Sequence, residues 1–317
     1  MRLQSAPQPR NGAAAGVIVI QRAHSREGLS RGNPGDRRHG TALPFAPAGA
    51  DASRRGLSQD PLERHSHEPH RHTILITGGS RGIGRALAEA LHDRGNQVII
   101  TGRDRALLQA IGEQRPGLVA LPLELGDPAS LADLAEIVHA RFPGLNVLIA
   151  NAGISRPENL ASGHWDDFDA EAIIDTNILG VLRTVATFLP LLTQQRSATL
   201  MATGSALAFL PLASFPTYCA SKAFLHSWLV SLRHQLRHLP VEVLELSPPY
   251  VQTGLTGEAQ ATDPRAMPVQ EYVQQVLLKL ERGDHPRGEL LLEPDQARRW
   301  AERDGTYDTL FALMNPA

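Results

Sequence analysis

Tyr218 and Lys222 stand four positions apart in "YCASK", in a chain of 317 residues with four tyrosines and, against 29 arginines, only two lysines. Random placement would give about 0.03 such pairs, so the spacing asks for a chemical reason. On a helix, positions i and i+4 share a face. A phenol ordinarily titrates near 10 and is a poor acid or base at neutral pH. A neighbouring ammonium favours the phenolate, and about 4 kcal/mol of such bias would bring the group into range. Lysine is a compact point charge that also donates to a sugar hydroxyl, a task a planar guanidinium fits poorly. The alternative is an ordinary Tyr-Lys contact on a partly exposed helix.

A second constellation lies in "TGGSRGIGRALAEAL", where Gly78, Gly82 and Gly84 follow a short apolar run and open an amphipathic stretch. Glycines at a strand-to-helix turn let the backbone approach a pyrophosphate, whose charge is met by amides and the positive end of the helix. A structural turn would use glycine too; the placement favours a dinucleotide site. Its chemistry is set at the end of the second strand, where a carboxylate binds a ribose 2'-hydroxyl and a cation a 2'-phosphate. That strand ends "IITGRD": Gly102 takes the acid's place, Arg103 follows, and Arg81 is able to approach the same phosphate. NADP(H) is favoured. NAD(H) stays open through Asp104, because a shift of one residue reverses the side-chain direction.

These groups need a scaffold, and from His72 onward apolar β-branched runs alternate with helical-period stretches, the pattern of βαβ units on a parallel sheet. Seven strands are expected, at "TILIT" 73, "QVIIT" 97, "LVALPL" 118, "NVLIAN" 146, "ATLMATG" 198, "VEVLELS" 241 and "ELLLE" 289. Most are apolar throughout, as in strands covered on both faces. Ile83, Leu87 and Leu91 form one helix stripe, with Gly95 placed to end it. Asp127 and Pro128 start another, lined by Leu131, Leu134 and Val138. Phe224, Leu225, Leu229 and Leu232 are the apolar partners on the helix of Tyr218. The expected class is α/β, a single doubly wound Rossmann domain over 72–317.

Residues 1–71 read as a disordered extension rich in Arg, Pro and Gly. Its tract of His65, His67 and His70, continued by His72, reads as a linker, and no metal site is expected. A secretory signal is not expected in "AAAGVIVI", and a transit peptide is a minor alternative. A net charge of -2 and a pI near 6.7 give no footprint for nucleic acid. No segment reads as the roughly 18 apolar residues a membrane span needs. The single cysteine, Cys219, excludes an internal disulfide and reads as a packed thiol. A cytoplasmic protein with a small-molecule partner is the expectation.

The set "TGGSRGIG", "NAG" at 151–153, Asn177, Ser205, "YCASK" and "SPPYVQT" resembles the classical short-chain dehydrogenases/reductases over residues 73 to about 317. Within them, "GNQVIITGR", "FPGLNVLIANAGI" and "PTYCASKAFLHSW" are similar to the DltE-like oxidoreductases. The resemblance implies that Tyr218 is the general acid, that Lys222 tunes it, that Ser205 hydrogen-bonds the carbonyl oxygen, and that Asn177 holds a water leading to Lys222. It also implies cofactor contacts from Gly78, Ser80, Arg81, Gly82, Ile83, Gly84, Arg103, Glu124, Leu125, Asn151, Gly153, Tyr218, Lys222, Val251 and Thr253. The implied activity is NADP(H)-dependent interconversion of a ketone or aldehyde and an alcohol, in a homodimer or homotetramer built through long central helices. Three positions depart from the family pattern: Glu124 for aspartate, Ala150 for asparagine and Pro249 for glycine. A catalytically silent NADP(H)-binding regulatory protein is the alternative function. Leu207, Phe209, Phe215 and Leu255 read equally as an apolar substrate pocket or as core and subunit contacts.

Overall fold

The computed structural model describes residues 72–316. The Arg-rich extension and all of the histidine tract except His72 lie outside the described residues. In chain order the main elements are β1 (Thr73–Ile76), α1 (Gly82–Asp93), β2 (Gln97–Gly102), α2 (Arg105–Gln114), β3 (Val119–Pro122), α3 (Pro128–Arg141), β4 (Leu145–Ala150), α4 (Phe168–Ile174), α5 (Gly180–Thr193), β5 (Ala198–Thr203), α6 (Pro216–Gln235), β6 (Val241–Ser247), α7 (Glu258–Thr262), α8 (Val269–Arg282), β7 (Glu289–Leu291), α9 (Gln296–Arg299) and α10 (Tyr307–Met314). Each of the seven apolar runs is a strand. All pair in parallel in the order β3-β2-β1-β4-β5-β6-β7.

Helices cover both faces, which is why the strands are apolar on both sides. On one face Leu87 and Leu91 of α1, Leu108 and Ile111 of α2 and Val276 and Leu280 of α8 close over Ile74, Ile76 and Ile100. On the other, Leu131, Leu134 and Val138 of α3, Val185 and Phe188 of α5 and Leu225 and Leu229 of α6 close over Leu148, Leu200 and Val243. Each fully buried Leu, Ile or Phe in these layers contributes roughly 1.5–3 kcal/mol. Phe224, expected on the buried stripe of α6, is exposed instead, because it lies about 100° round the helix from Leu225.

Local signals hold where expected. Gly95 adopts φ 85° and closes α1 by donating its N–H to the His92 carbonyl at 2.8 Å. Asp127 caps α3, accepting from the Ala129 N–H at 2.9 Å. Helices α4 and α5 are joined through a wider π turn, Asp175–Leu179, into one run from Phe168 to Thr193 that contains an 18-residue window of mean hydropathy 1.4, enough by length and composition for a membrane span. No such segment is expected from the sequence. The run's apolarity has a use within the domain: Val181, Val185, Phe188 and Leu192 sit in the core against β4 and β5.

The strand order reverses between β1 and β4. Chains leave the carboxyl ends of these two strands in opposite directions, which opens a crevice where such folds take their ligands.

Candidate active site

The glycine turn follows β1 directly at that crevice. Gly78 and Gly82 have φ of 67° and 53°, a region that side chains with a Cβ rarely adopt. A Cβ on Gly78 would meet the Cα of Ala152 at 2.8 Å, and one on Gly84 would meet the carbonyl oxygen of Gly78 at 2.5 Å. The turn is therefore packed flat against the end of β4. Asn151 secures it: its backbone N–H donates to Thr77 Oγ1 at 3.0 Å, its Nδ2 to the Thr77 carbonyl at 3.1 Å, and its Oδ1 accepts from Thr203 Oγ1 at 3.2 Å. Thr253, on the segment after β6, faces the turn from the other side, 3.4 Å from the Cβ position of Gly82. This bare backbone cradle between two walls fits a pyrophosphate. Ile83 is partly buried against the core of α1, and Val251 is buried with its strand-like bridge to Met267.

At the end of β2, where an acid would stand, a Cβ on Gly102 would lie 2.7 Å from Ser80 Oγ and would displace that hydroxyl. Arg103 is exposed and makes no ion pair among the described residues. Arg81 reaches the same place and holds Asp104 at 3.0 Å. Asp104 is further occupied as the cap of α2, accepting from the Leu107 N–H at 3.0 Å. That backbone hydrogen bond, with Arg81 beside it, holds its carboxyl below the usual range. Both cations thus gather at one corner, and the competing carboxylate is already committed. Glu124 is exposed beside Gly126 and Asp175, while Leu125 is buried against Gly180.

The tyrosine side is built on α6. Its first turn is fixed by Glu158, whose carboxylate accepts from both the N–H and the hydroxyl of Thr217, each at 2.9 Å. A negative charge there also suits the helix dipole. Glu158 is 59 residues from Thr217, so no local pattern marks it as a cap. Tyr218 and Lys222 follow on one face, with the Lys222 Nζ 5.7 Å from the centre of the Tyr218 ring. Nζ donates to the Thr203 carbonyl at 2.7 Å. Ser205, two residues on from Thr203, accepts from the Leu207 N–H at 3.1 Å, and its hydroxyl favours the ionised form of the Tyr218 phenol.

Electrostatics here differ from the sequence expectation. Burial pushes the Tyr218 phenol up to about 12, more than the Ser205 hydroxyl draws it down. Burial likewise pulls Lys222 down to about 8, opposed by the carboxylate of Glu245. The ammonium aims at a carbonyl rather than at the phenol, and desolvation of both groups outweighs their attraction. At neutral pH the protein's own groups therefore hold Tyr218 as a neutral proton donor. Cys219 is buried, its Sγ 3.4 Å from the Leu212 backbone nitrogen, from whose N–H it accepts.

Asn177 occupies the π turn between α4 and α5, at 0% exposure. Its Oδ1 accepts from the Ile154 N–H at 2.9 Å; its Nδ2 donates to the Ile154 carbonyl at 3.0 Å and to Ser221 Oγ at 3.1 Å. Both donors are spent on the protein, which ties the loop after β4 to α6. Gly153 lies between them, with a Cβ position 3.2 Å from Asn177 Oδ1 and 3.6 Å from Lys222 Nζ. The extra residue of a π turn aims this asparagine inward.

Two further contacts have no signal in local sequence. The Asn315 side chain accepts from the Ala213 N–H at 2.6 Å and donates to the Pro211 carbonyl at 3.2 Å, clamping the loop between Ser205 and Tyr218. The Ala206 N–H donates to the Pro248 carbonyl at 3.1 Å, so the Pro248-Pro249 pair continues the alignment of β5 and β6 past their ends.

Comparison with known proteins agrees with this layout. The chain is 40% identical over 246 residues to the uncharacterized oxidoreductase DltE of Bacillus subtilis, covering 77% of this chain and 96% of that protein. A short-chain dehydrogenase of Burkholderia cenocepacia solved with NADP superposes with a TM-score of 0.65 at 25% identity, over 77% of this chain and 98% of the other. One from Sphingobium yanoikuyae solved with NADPH gives 0.63 at 28%, over 76% and 95%. The family model described as short chain dehydrogenase matches residues 72–264. With the glycine cradle at the switch point and the paired Tyr218 and Lys222 beside it, the chain belongs to the short-chain dehydrogenase family of oxidoreductases.

Proposed function

We propose that the protein is an NADP(H)-dependent reductase that interconverts a ketone or aldehyde with its alcohol. The observation that carries this reading is a buried Tyr218 phenol on the same helix face as a buried Lys222, whose Nζ lies 5.7 Å from the centre of its ring. When bound, the dinucleotide supplies a hydride from C4 of its nicotinamide. Tyr218 donates its proton to the carbonyl oxygen as negative charge develops there, and Ser205 hydrogen-bonds the same oxygen. Lys222, fixed at its far side by the Thr203 carbonyl, keeps two further N–H groups for a ribose hydroxyl. Asn177 holds the loop at Ile154 and the helix at Ser221 in register around Lys222.

Arg81 and Arg103 at the end of β2, with Asp104 capping α2 and paired to Arg81, support NADP(H) over NAD(H). The two solved relatives described above, one with NADP and one with NADPH, support the same choice. Half-buried Leu207, Phe215 and Leu255 support an apolar substrate. Exposed Phe168, Ile174 and Leu179 on the α4–α5 run, with Phe224 and Val230 on α6, support association of copies through these helices as a dimer or tetramer.

A panel of ketones and aldehydes with NADPH tests the reading. Tyr218→Phe should lose about 10²–10⁴-fold in turnover while retaining NADPH binding by fluorescence titration. Equal turnover by the variant and the natural chain, or none by either on any carbonyl, refutes it.

A further inference from the structure

Three side chains in consecutive turns share one face of α6: Tyr218, Lys222 and His226. The third has no part in the chemistry above. His226 Nδ1 donates to Glu245 Oε2 at 2.8 Å, and Glu245 is 0% exposed in the middle of β6. A carboxylate so placed costs several kcal/mol unless it is paired. The neighbouring chain is shaped around it. Gly204 has no space for a side chain, since a Cβ there would lie 2.5 Å from Glu245 Oε1, and Ser247 Oγ donates to that same oxygen at 3.4 Å. Gly204 is the residue between Thr203, whose carbonyl receives Lys222 Nζ, and Ser205. The carboxylate thus lies directly behind the segment that carries both supports of Tyr218.

We propose that Glu245, held by His226, is a positioning residue that acts through Lys222: its carboxylate is the counter-charge that keeps Lys222 an ammonium on the Thr203 carbonyl. The role of Lys222 rests on the function proposed above. The other charged groups around the pair are Arg233 on α6, Glu242 on β6, Arg287 just before β7, Glu289 on β7 and Arg299 on α9. Arg299 takes Glu289 through two hydrogen bonds of 2.8 and 3.0 Å, which neutralises that carboxylate from the far side. Arg233 is directed to the Val243 carbonyl at 2.9 Å. The ring of Phe209 meets His226 edge-on at 4.9 Å and covers it. Glu245 remains as the carboxylate that opposes the loss of the Lys222 proton.

The chain has two lysines, so ¹³C-lysine labelling gives two Cε signals, with Lys279, paired to Asp284, as the internal reference. Their pH titration reads Lys222 directly and needs no turnover, so a failure of the carbonyl-reductase reading leaves this test intact. Glu245→Gln should lower the Lys222 midpoint by about one pH unit, leave Lys279 unmoved, and bring the high-pH limb of kcat/KM down with it. Glu245→Asp retains the charge one methylene further away and should give a smaller fall; it serves if the glutamine variant does not fold. A Lys222 midpoint that is unchanged or raised in the variants overturns the proposal.

Discussion

Lys222→Met exchanges a buried ammonium for an uncharged chain of similar length, and the burial of Lys222 sets the size of the consequence. The group titrates near 8 in the fold against an ordinary 10.5. Keeping it charged at pH 7 therefore costs about 3 kcal/mol. Loss of its hydrogen bond to the Thr203 carbonyl returns about 1 kcal/mol. The net gain is about 2 kcal/mol, a rise in Tm of roughly 4–8 °C for a domain of this size. The sign depends on pH. Between pH 8 and 10.5 the unfolded chain holds a proton that the folded chain has released, so the natural protein gains stability as pH rises. The methionine variant lacks that term; its advantage is full below pH 8 and shrinks toward 10.5. Thermal unfolding followed by circular dichroism at pH 7 and pH 10, alongside NADPH turnover, measures both. A lower Tm at pH 7, or a gap that does not change with pH, would refute the argument that desolvation governs this site. A stabler but inactive variant would show a folding cost borne for chemistry.

Other positions give independent tests. Arg103→Glu should raise KM for NADPH about 10–100-fold and lower KM for NADH, since it exchanges a charged hydrogen bond to a 2'-phosphate for a carboxylate able to take a 2'-hydroxyl; steady-state kinetics with both cofactors decides. Gly84→Ala drives a methyl into the Gly78 carbonyl and should cost about 2 kcal/mol or more, together with dinucleotide affinity. Gly112→Ala, in α2 with nothing within 4 Å of its Cβ position, should instead gain about 0.5–1 kcal/mol, and urea melts of the two variants compare them directly. Asn315→Ala frees the loop at Pro211–Ala213 and should raise KM for the carbonyl substrate several-fold without altering KM for the cofactor.

What was legible in the sequence follows from how far apart the cooperating residues lie. Strands covered on both faces announce themselves as unbroken apolar runs, and caps such as Asp127 act within a few positions, so both were readable. The scarcity of lysine pointed to Lys222. Glu158, Asn315 and Glu245 act across 59, 102 and 19 positions, and nothing beside them in the chain names their partners. The direction of the Tyr218 shift was hidden for a related reason. Spacing shows that an ammonium is near, but desolvation is a property of the packed interior. Asp104 shows the converse: a carboxylate open to two roles in the sequence is claimed in the fold by a helix end and an arginine.

The Asn315 clamp also sets an order of events during synthesis. Ala213 is translated 102 residues before the side chain that fastens its loop. At roughly 5–20 residues per second the ribosome needs about 5–20 s to cover that interval. The sheet from β1 to β6 can assemble while the loop beside Tyr218 is still unfastened, so a nascent chain gains its fold before the surroundings of its candidate active site are complete.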